Sequence, residues 1–402
     1  MTAASGARRG APRPARLLLY SRAALFAVVA AFAISVLGAT GADTVSGRLG
    51  GDFPAFYAAG SIVGDGDWAD LYDPDRQLAE QARLFPESGD SFLYFAYPPH
   101  AAAVYRPLAA LDYRLAYAVH SMAMAAAAVA ALALIRPMVP LVRRRFELTV
   151  TATLLFNPVL RAVTGGQNTA LTLLGVAAAW RLLHDEEDVA AGFVVALLLY
   201  KPQVAVPLAG VLLLARRWRA VAAVAVGAVM VWGLGTMLAG TGWLTTWWAE
   251  VRSFAELDAG VNGHNAISWL GVSEHLLGAG STAAYAVAAP FVLASVAAVS
   301  FVWISDRFDL SARFAVTAAG ILLMSPHAMF YDAGLLAITA VVALDRLGAR
   351  AVPVVGAVWA LSWLQMGSQT LRLAPMFVLM IAGLAVLAAR WNSDARVASA
   401  AT

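Results

Sequence analysis

The sequence predicts an all-α polytopic membrane protein with about twelve transmembrane helices, one per run of about 20 apolar residues. Three observations predict it. Apolar runs of spanning length recur along most of the 402 residues. Only 13% of the residues are charged, against roughly 25% in soluble domains, and the mean hydropathy is +0.71. Arginines gather at the ends of the apolar runs, as they do at cytoplasmic membrane edges. The net charge of +3 and the pI near 9.3 arise from those edges, so nucleic acid is not expected as a partner. With no cysteine, disulfides, thiolate zinc sites and iron–sulfur clusters are excluded.

Arg8, Arg9, Arg13, Arg16 and Arg22 precede an apolar stretch at Ala23–Ala39. Residues 1–22 read as a cytoplasmic tail and the stretch as an uncleaved first helix, because many spans follow. The small residues Ala39-Thr40-Gly41-Ala42 also fit a cleaved leader. A first outer loop, 42–96, comes next. A span near Tyr113–Ile135 returns to Arg136 and Arg143-Arg144-Arg145 inside. A helix over Glu147–Val163 exits to Gly165-Gly166-Gln167-Asn168, and Thr169–Leu183 comes back. Pro202 breaks the run Val189–Ala215 into a hairpin, which keeps Arg216, Arg217 and Arg219 inside. Ala220–Leu238 exits to a second outer loop, 240–268, and Ser281–Ile304 re-enters. Four last spans lie near Phe314–Leu323, Ala333–Leu344, Ala351–Leu364 and Pro375–Ala389. Residues 23–390 thus form one transmembrane domain, and 391–402 a second cytoplasmic tail.

In this layout the polar motifs fall on the outer side, away from the basic inner loops. In the first outer loop, Phe53, Phe56, Tyr57 and Gly60 recur at helical spacing and predict an amphipathic helix lying in the interface. Asp73-Pro74 starts a second helix through Leu84, with aspartate as cap and proline in the first turn. Tyr97-Pro98-Pro99 breaks the chain before a short apolar helix ending near Leu111. Asp65-Gly66-Asp67-Trp68-Ala69-Asp70 has the outline of a calcium loop but lacks its glycine and distant glutamate, so it reads as a solvated turn. Trp243, Trp247, Trp248 and Trp269 mark an aromatic belt at the second loop, with sugar stacking open to one of them.

Asp52 is the acid that stands out. It precedes Pro54 where a helix cap would sit, and capping alone would explain it. A carboxylate at the lipid–water boundary beside an aromatic strip also fits a general base for a sugar hydroxyl. Lys201 is the only lysine among 28 basic residues and lies inside an apolar run. Such a cation needs an anion or water, and phosphate suits it; snorkelling to the interface is the alternative. His327 has Tyr331 and Asp332 close by in sequence to orient it. Gln167 and Asn168 fit interhelical hydrogen bonds or sugar contacts equally. No Walker loop, dinucleotide fingerprint or large cytoplasmic domain is present to hold a nucleotide sugar. An activated donor must then arrive through the membrane, as a polyprenyl-phosphate sugar does.

Taken in order, Asp52-Phe53 through Phe56-Tyr57-Ala58-Ala59-Gly60, Leu71-Tyr72-Asp73-Pro74, Tyr97-Pro98-Pro99, Asn157-Pro158, Gly166-Gln167-Asn168, Lys201-Pro202-Gln203 and Ser325-Pro326-His327 with Tyr331-Asp332 resemble glycosyltransferase family 87. These are polyprenol-phosphate-mannose-dependent mannosyltransferases of the GT-C superfamily. The resemblance implies a GT-C-like bundle in the plasma membrane, with the site on the extracytoplasmic side. It implies an inverting transfer without cofactor or metal, in which Asp52 matches the catalytic aspartate and His327 lies near the donor phosphate. Lys201, Arg106 and Arg161 are further candidates for the phosphate. Phe56, Tyr57, Tyr97, Gln167, Asn168, Gln203, His264, Tyr331 and Asp332 are candidates for substrate contact. The expected partners are a polyprenyl-phosphate sugar, probed first as mannose, a lipid or glycan acceptor, and membrane lipids. A lipid or sugar transporter or flippase and a glycan ligase are the alternatives.

Overall fold

A computed structural model of the protein describes residues 14–38, 49–86, 92–372 and 374–400, the side chains from Arg16 to Trp391 among them. The arginines at 8, 9 and 13 and the run Ala39–Ala42 lie outside the described residues. Among those described, regular structure is helical throughout, with a single isolated bridge between Ala266 and Met329.

The first helix, α1 (Pro14–Gly38), starts before residue 23, because nothing from Pro14 onward breaks it. Arg22 pairs with Glu147 and ties it to the helix that begins at Phe146. α2 (Phe53–Asp65), α3 (Pro74–Leu84) and α4 (Pro99–Ala109) follow. Asp73 caps α3 by accepting from the Asp75 and Arg76 amides, as its sequence requires. α2 is less amphipathic than its aromatic spacing predicts. Its faces are nearly all buried, and it packs against α4 so closely that a methyl on Gly60 would sit 2.6 Å from the Tyr105 carbonyl oxygen. The acidic turn is closed by Arg76, which reaches Asp65 and Asp67 at 3.0 and 3.2 Å.

α5 (Tyr113–Ile135) spans as the hydropathy predicts. After the short α6 (Pro140–Arg144), the expected helix over Glu147–Val163 is two: α7 (Phe146–Leu154) and α8 (Asn157–Thr164), bent by 65°. Pro158 in the first turn of α8 removes the amide that a continuous helix would use. α9 (Thr169–His184) and α10 (Asp188–Leu197) come next. A 3-10 turn at Leu198–Tyr200 and Lys201 then break the chain before α11 (Pro202–Leu214), which is the hairpin the arginine pattern demands. α12 (Trp218–Ala239) packs on α10 through glycine: methyls on Gly192 and Gly227 would strike Ala220 and Ala196. In lipid, close approach of small residues is a main source of helix association.

The second loop is mostly α13 (Trp243–Asn262), with α14 (Trp269–Leu277) behind it. α15 (Thr282–Ile304), α16 (Leu310–Met324), α17 (Leu336–Leu347), α18 (Val352–Leu361), the short α19 (Ser368–Leu371) and α20 (Pro375–Ala400) complete the chain. α20 runs through the segment expected as a tail from 391. Among the described residues four helices, α1, α5, α12 and α15, are long and apolar enough to cross a membrane, with the bent α7–α8 pair as a fifth; α9, α11, α16 and others are shorter.

Two cores result. The larger joins α9, α11, α16 and α17 around Trp180, which stacks on Phe314 at 5.6 Å. The smaller is aromatic and joins α2, α4, α5 and α13 through Phe53, Phe56, Phe95, Tyr105, Tyr117 and Trp243. The candidate site lies where α2, the α8–α9 turn and the segment after α16 meet.

Candidate functional site

Two glycine pairs place Asp52. Gly50 and Gly51 have φ of +109° and +55°, and Gly166 has +68°. They let the turn before α2 cross the turn before α9 with backbones in contact: the Asp52 amide donates to the Gly165 carbonyl at 3.0 Å. A methyl on Gly51 would lie 2.7 Å from that same oxygen, and one on Gly166 would lie 2.5 Å from the Phe53 Cβ. Gly166→Ala is therefore expected to cost at least about 1–2 kcal/mol from the left-handed backbone alone. It should also part Gln167 from Asp52, and a thermal unfolding scan reads the loss.

At this crossing the Asp52 side chain does not cap α2. Its residue is in the N-cap position but makes no side-chain capping bond. Instead the carboxylate accepts from Gln167 Nε2. Enclosure pushes the Asp52 carboxyl up to about 6; the charge of Asp258 adds to this, and the Gln167 bond works against it. The carboxylate is thus mostly ionised at neutral pH and close to its titration range.

Beside it lies a second network. Lys201 Nζ is 3.1 Å from Asp332 Oδ1, and both are largely buried. Asp332 also accepts from the Thr169 hydroxyl at 3.0 Å and from the Met329 amide at 3.1 Å. Lys201 is therefore neutralised by the protein's own carboxylate, not left open to an anion. The sequence reading paired Asp332 with His327; folding gives it to Lys201 across 131 residues. Tyr97 stands between the networks. Its hydroxyl meets Asn168, and burial with the charges of Asp332 and Asp52 pushes its phenol up. Tyr331 is raised by burial and then by Asp52, Asp332 and Asp258. Three carboxylates from three segments thus converge on one phenol.

His327 completes the cluster from the other side. Its Nε2 is 3.7 Å from Asp258 Oδ2, and its ring meets Phe254 edge-on at 5.5 Å. Ser325 fixes its backbone by donating to the His327 carbonyl at 2.6 Å. His264 sits on the neighbouring 3-10 turn, half-buried and bonded to Asn265; burial lowers it, and His275 lowers it further.

Other candidates are not part of the cluster. Phe56 is buried among Phe95, Tyr97 and Tyr105 in the aromatic core. Tyr57 spends its hydroxyl on the Leu111 carbonyl at 2.7 Å. The contacts of these two are with the aromatic core and the α4–α5 turn. Arg106 and Arg161 are exposed on α4 and α8. Gln203 is half-buried in the first turn of α11, two residues past Lys201.

Asp258 and Glu250 are the acids that sequence reading missed. Both are buried on the α13 face that carries Trp243 and Trp247. The signal was there in outline: positions 243, 247, 250 and 258 share one helical stripe, hidden while the segment read as a loop. Glu250 lies apart, beside Gln77, and burial pushes it up to about 7.

Compared with known families, residues 95–326 match the model described as glycosyltransferase family 87. The match covers more than half of the chain; His327 follows its last residue directly, whereas Asp52 lies well before its first. No match is found among curated proteins or among solved structures.

Proposed function

The chain belongs to glycosyltransferase family 87, and from that membership we propose an integral membrane hexosyltransferase that uses a polyprenyl-phosphate sugar, with mannose as the hexose. The acceptor is a lipid-linked or glycan hydroxyl. One observation carries the assignment of the base: the Asp52 carboxylate is released from capping, held by Gln167 and kept near neutral titration by its enclosure.

The step balances as follows. Asp52 takes the acceptor hydroxyl proton while that oxygen bonds to the anomeric carbon. The carbon–oxygen bond to phosphate breaks on the opposite face, and polyprenyl phosphate departs with the electron pair. The anomeric configuration inverts. His327 lies on the far side of the cluster and offers its imidazole N–H to the leaving phosphate. Lys201 acts through its ion pair with Asp332, as a buried dipole. Tyr97, Gln167, Asn168 and Tyr331 line the sugar side, with Gln203 and His264 at its edges. Arg106 and Arg161 are exposed and make no described contact with this cluster. A plasma-membrane location follows from the donor, with the site on the extracytoplasmic face and both termini inside. About twelve crossings remain the proposed topology, the short and bent helices supplying those beyond the long ones.

The test is covalent transfer. In vesicles, labelled polyprenyl-phosphate mannose and an extract of membrane glycolipids are expected to give a labelled, heavier lipid. Movement of label across the bilayer without new covalent product would favour a flippase and contradict the reading. A pH profile checks the base. Because a raised carboxyl must lose its proton to act, kcat/KM is expected to hold above pH 7. It should fall as the pH drops through about 6, nearly tenfold per unit below it.

A further inference from the structure

We propose that Asp258 is a positioning residue of this site, its buried carboxylate holding the His327 imidazole against the reaction space across the contact between α13 and the segment Ser325–Tyr331. The proposal rests on the reading of His327 as the group on the phosphate side. Asp258 Oδ1 accepts from Asn262 Nδ2 one turn on, at 2.6 Å. Its Oδ2 is buried, has no hydrogen-bond partner among the described residues, and faces His327 Nε2 at 3.7 Å. A buried carboxylate oxygen left unmatched is costly. Closing that gap by less than about 1 Å converts the approach to a charge-assisted hydrogen bond.

The surroundings allow such a closure. A cavity of about 30 Å³ between α13 and residues 326–329 is bordered by Ala255, Ala259, Gly263 and His327. The backbone on either side of His327 is fixed: before it, the His327 amide donates to the Ser325 hydroxyl at 3.2 Å, and after it the Ile267 amide donates to the Ala328 carbonyl at 2.9 Å and Ala266 bridges to Met329. The imidazole can therefore turn while its backbone stays in place. The charged and titratable groups around Asp258 come from every neighbouring element. They are Asp52 before α2, Tyr331 after α16 and His264 on the 3-10 turn; Glu274 of α14 borders the same cavity, and Asp332 and Tyr97 lie one contact further, around Tyr331. Asp258 repels a charge on Asp52 and so favours its protonated form, second only to burial. The same residue thus bears on both ends of the transfer.

The test compares wild type, Asp258→Asn, Asp258→Glu and His327→Gln in vesicles with labelled polyprenyl-phosphate mannose. In Asp258→Asn the donor KM is expected to rise about tenfold, the cost of a lost charged contact, with kcat at neutral pH little changed. Its acid limb should move to lower pH, so that the ratio of activity at pH 5 to that at pH 7.5 increases several-fold. General damage to the fold would not shift a limb in that direction. Asp258→Glu keeps the charge and should leave the limb in place. Adding Asp258→Asn to His327→Gln should raise the donor KM no further. An unmoved limb and an unchanged KM in Asp258→Asn would overturn the proposal. If Asp258→Asn yields too little folded protein, Asp258→Ser serves the same comparison. Failure of the underlying reading looks different: the acid limb would then persist in Asp52→Asn.

Discussion

Lys201→Met is expected to lower folded stability by about 3–5 kcal/mol, the cost of leaving one charge of a buried pair without its partner. Asp332 would keep the Thr169 hydroxyl and the Met329 amide as donors, but no cation to offset a carboxylate that is largely out of solvent. Removing both charges is a smaller loss. In Lys201→Met with Asp332→Asn, much of the stability should return, because no uncompensated ion remains and the amide oxygen still accepts from Thr169. Thermal unfolding in detergent, run on both single variants and the double, gives the coupling directly. A Lys201 held ready chiefly for a donor phosphate predicts another pattern: normal stability in the single variant, weaker donor binding, and no coupling to Asp332.

Much of the fold was legible because membrane spans are long, local signals. The limits of α5 follow from its apolar run, the start of α3 from Asp73-Pro74, and the hairpin at Lys201-Pro202 from arginine placement. The misses have physical causes. α7 and α8 read as one helix because the apolar run continues across Asn157-Pro158, where the proline bends the chain by 65°. α2 read as interfacial because its aromatic spacing fits that, whereas Ala55, Ala59 and Gly60 supply a small-residue face for α4. A face of small residues and a face toward water look alike until the partner helix is known.

The site was legible in composition and not in pairing. Asp52, Gln167, Asn168, Lys201, His327 and Asp332 were all singled out, yet single-sequence reasoning cannot see contacts made across 115 or 131 residues. Thus the capping alternative for Asp52 gave way to a bond from Gln167, and the Lys201 ammonium found an internal carboxylate. Asp258 went unnoticed because its neighbours exist only after α13 docks beside residues 325–331.

The second large effect concerns Asp52→Asn. Asparagine accepts the Gln167 bond through its Oδ1, nearly matches the shape of aspartate and cannot take a proton from a hydroxyl. It also removes an ion that burial disfavours, so the fold should be at least as stable as wild type. Capping predicts nothing here, since the side chain makes no capping bond. The loss should be confined to chemistry: kcat down by roughly 10²–10⁴, the usual contribution of a general base, with donor KM nearly constant.

The central claim is tested most directly by the initial rate of labelled hexose transfer from a polyprenyl-phosphate donor, measured at pH 7.5 for wild type and Asp52→Asn at equal amounts of folded protein. A rate reduced at least about a hundredfold in the variant is the predicted result. Equal rates would contradict the assignment of this carboxylate as the base.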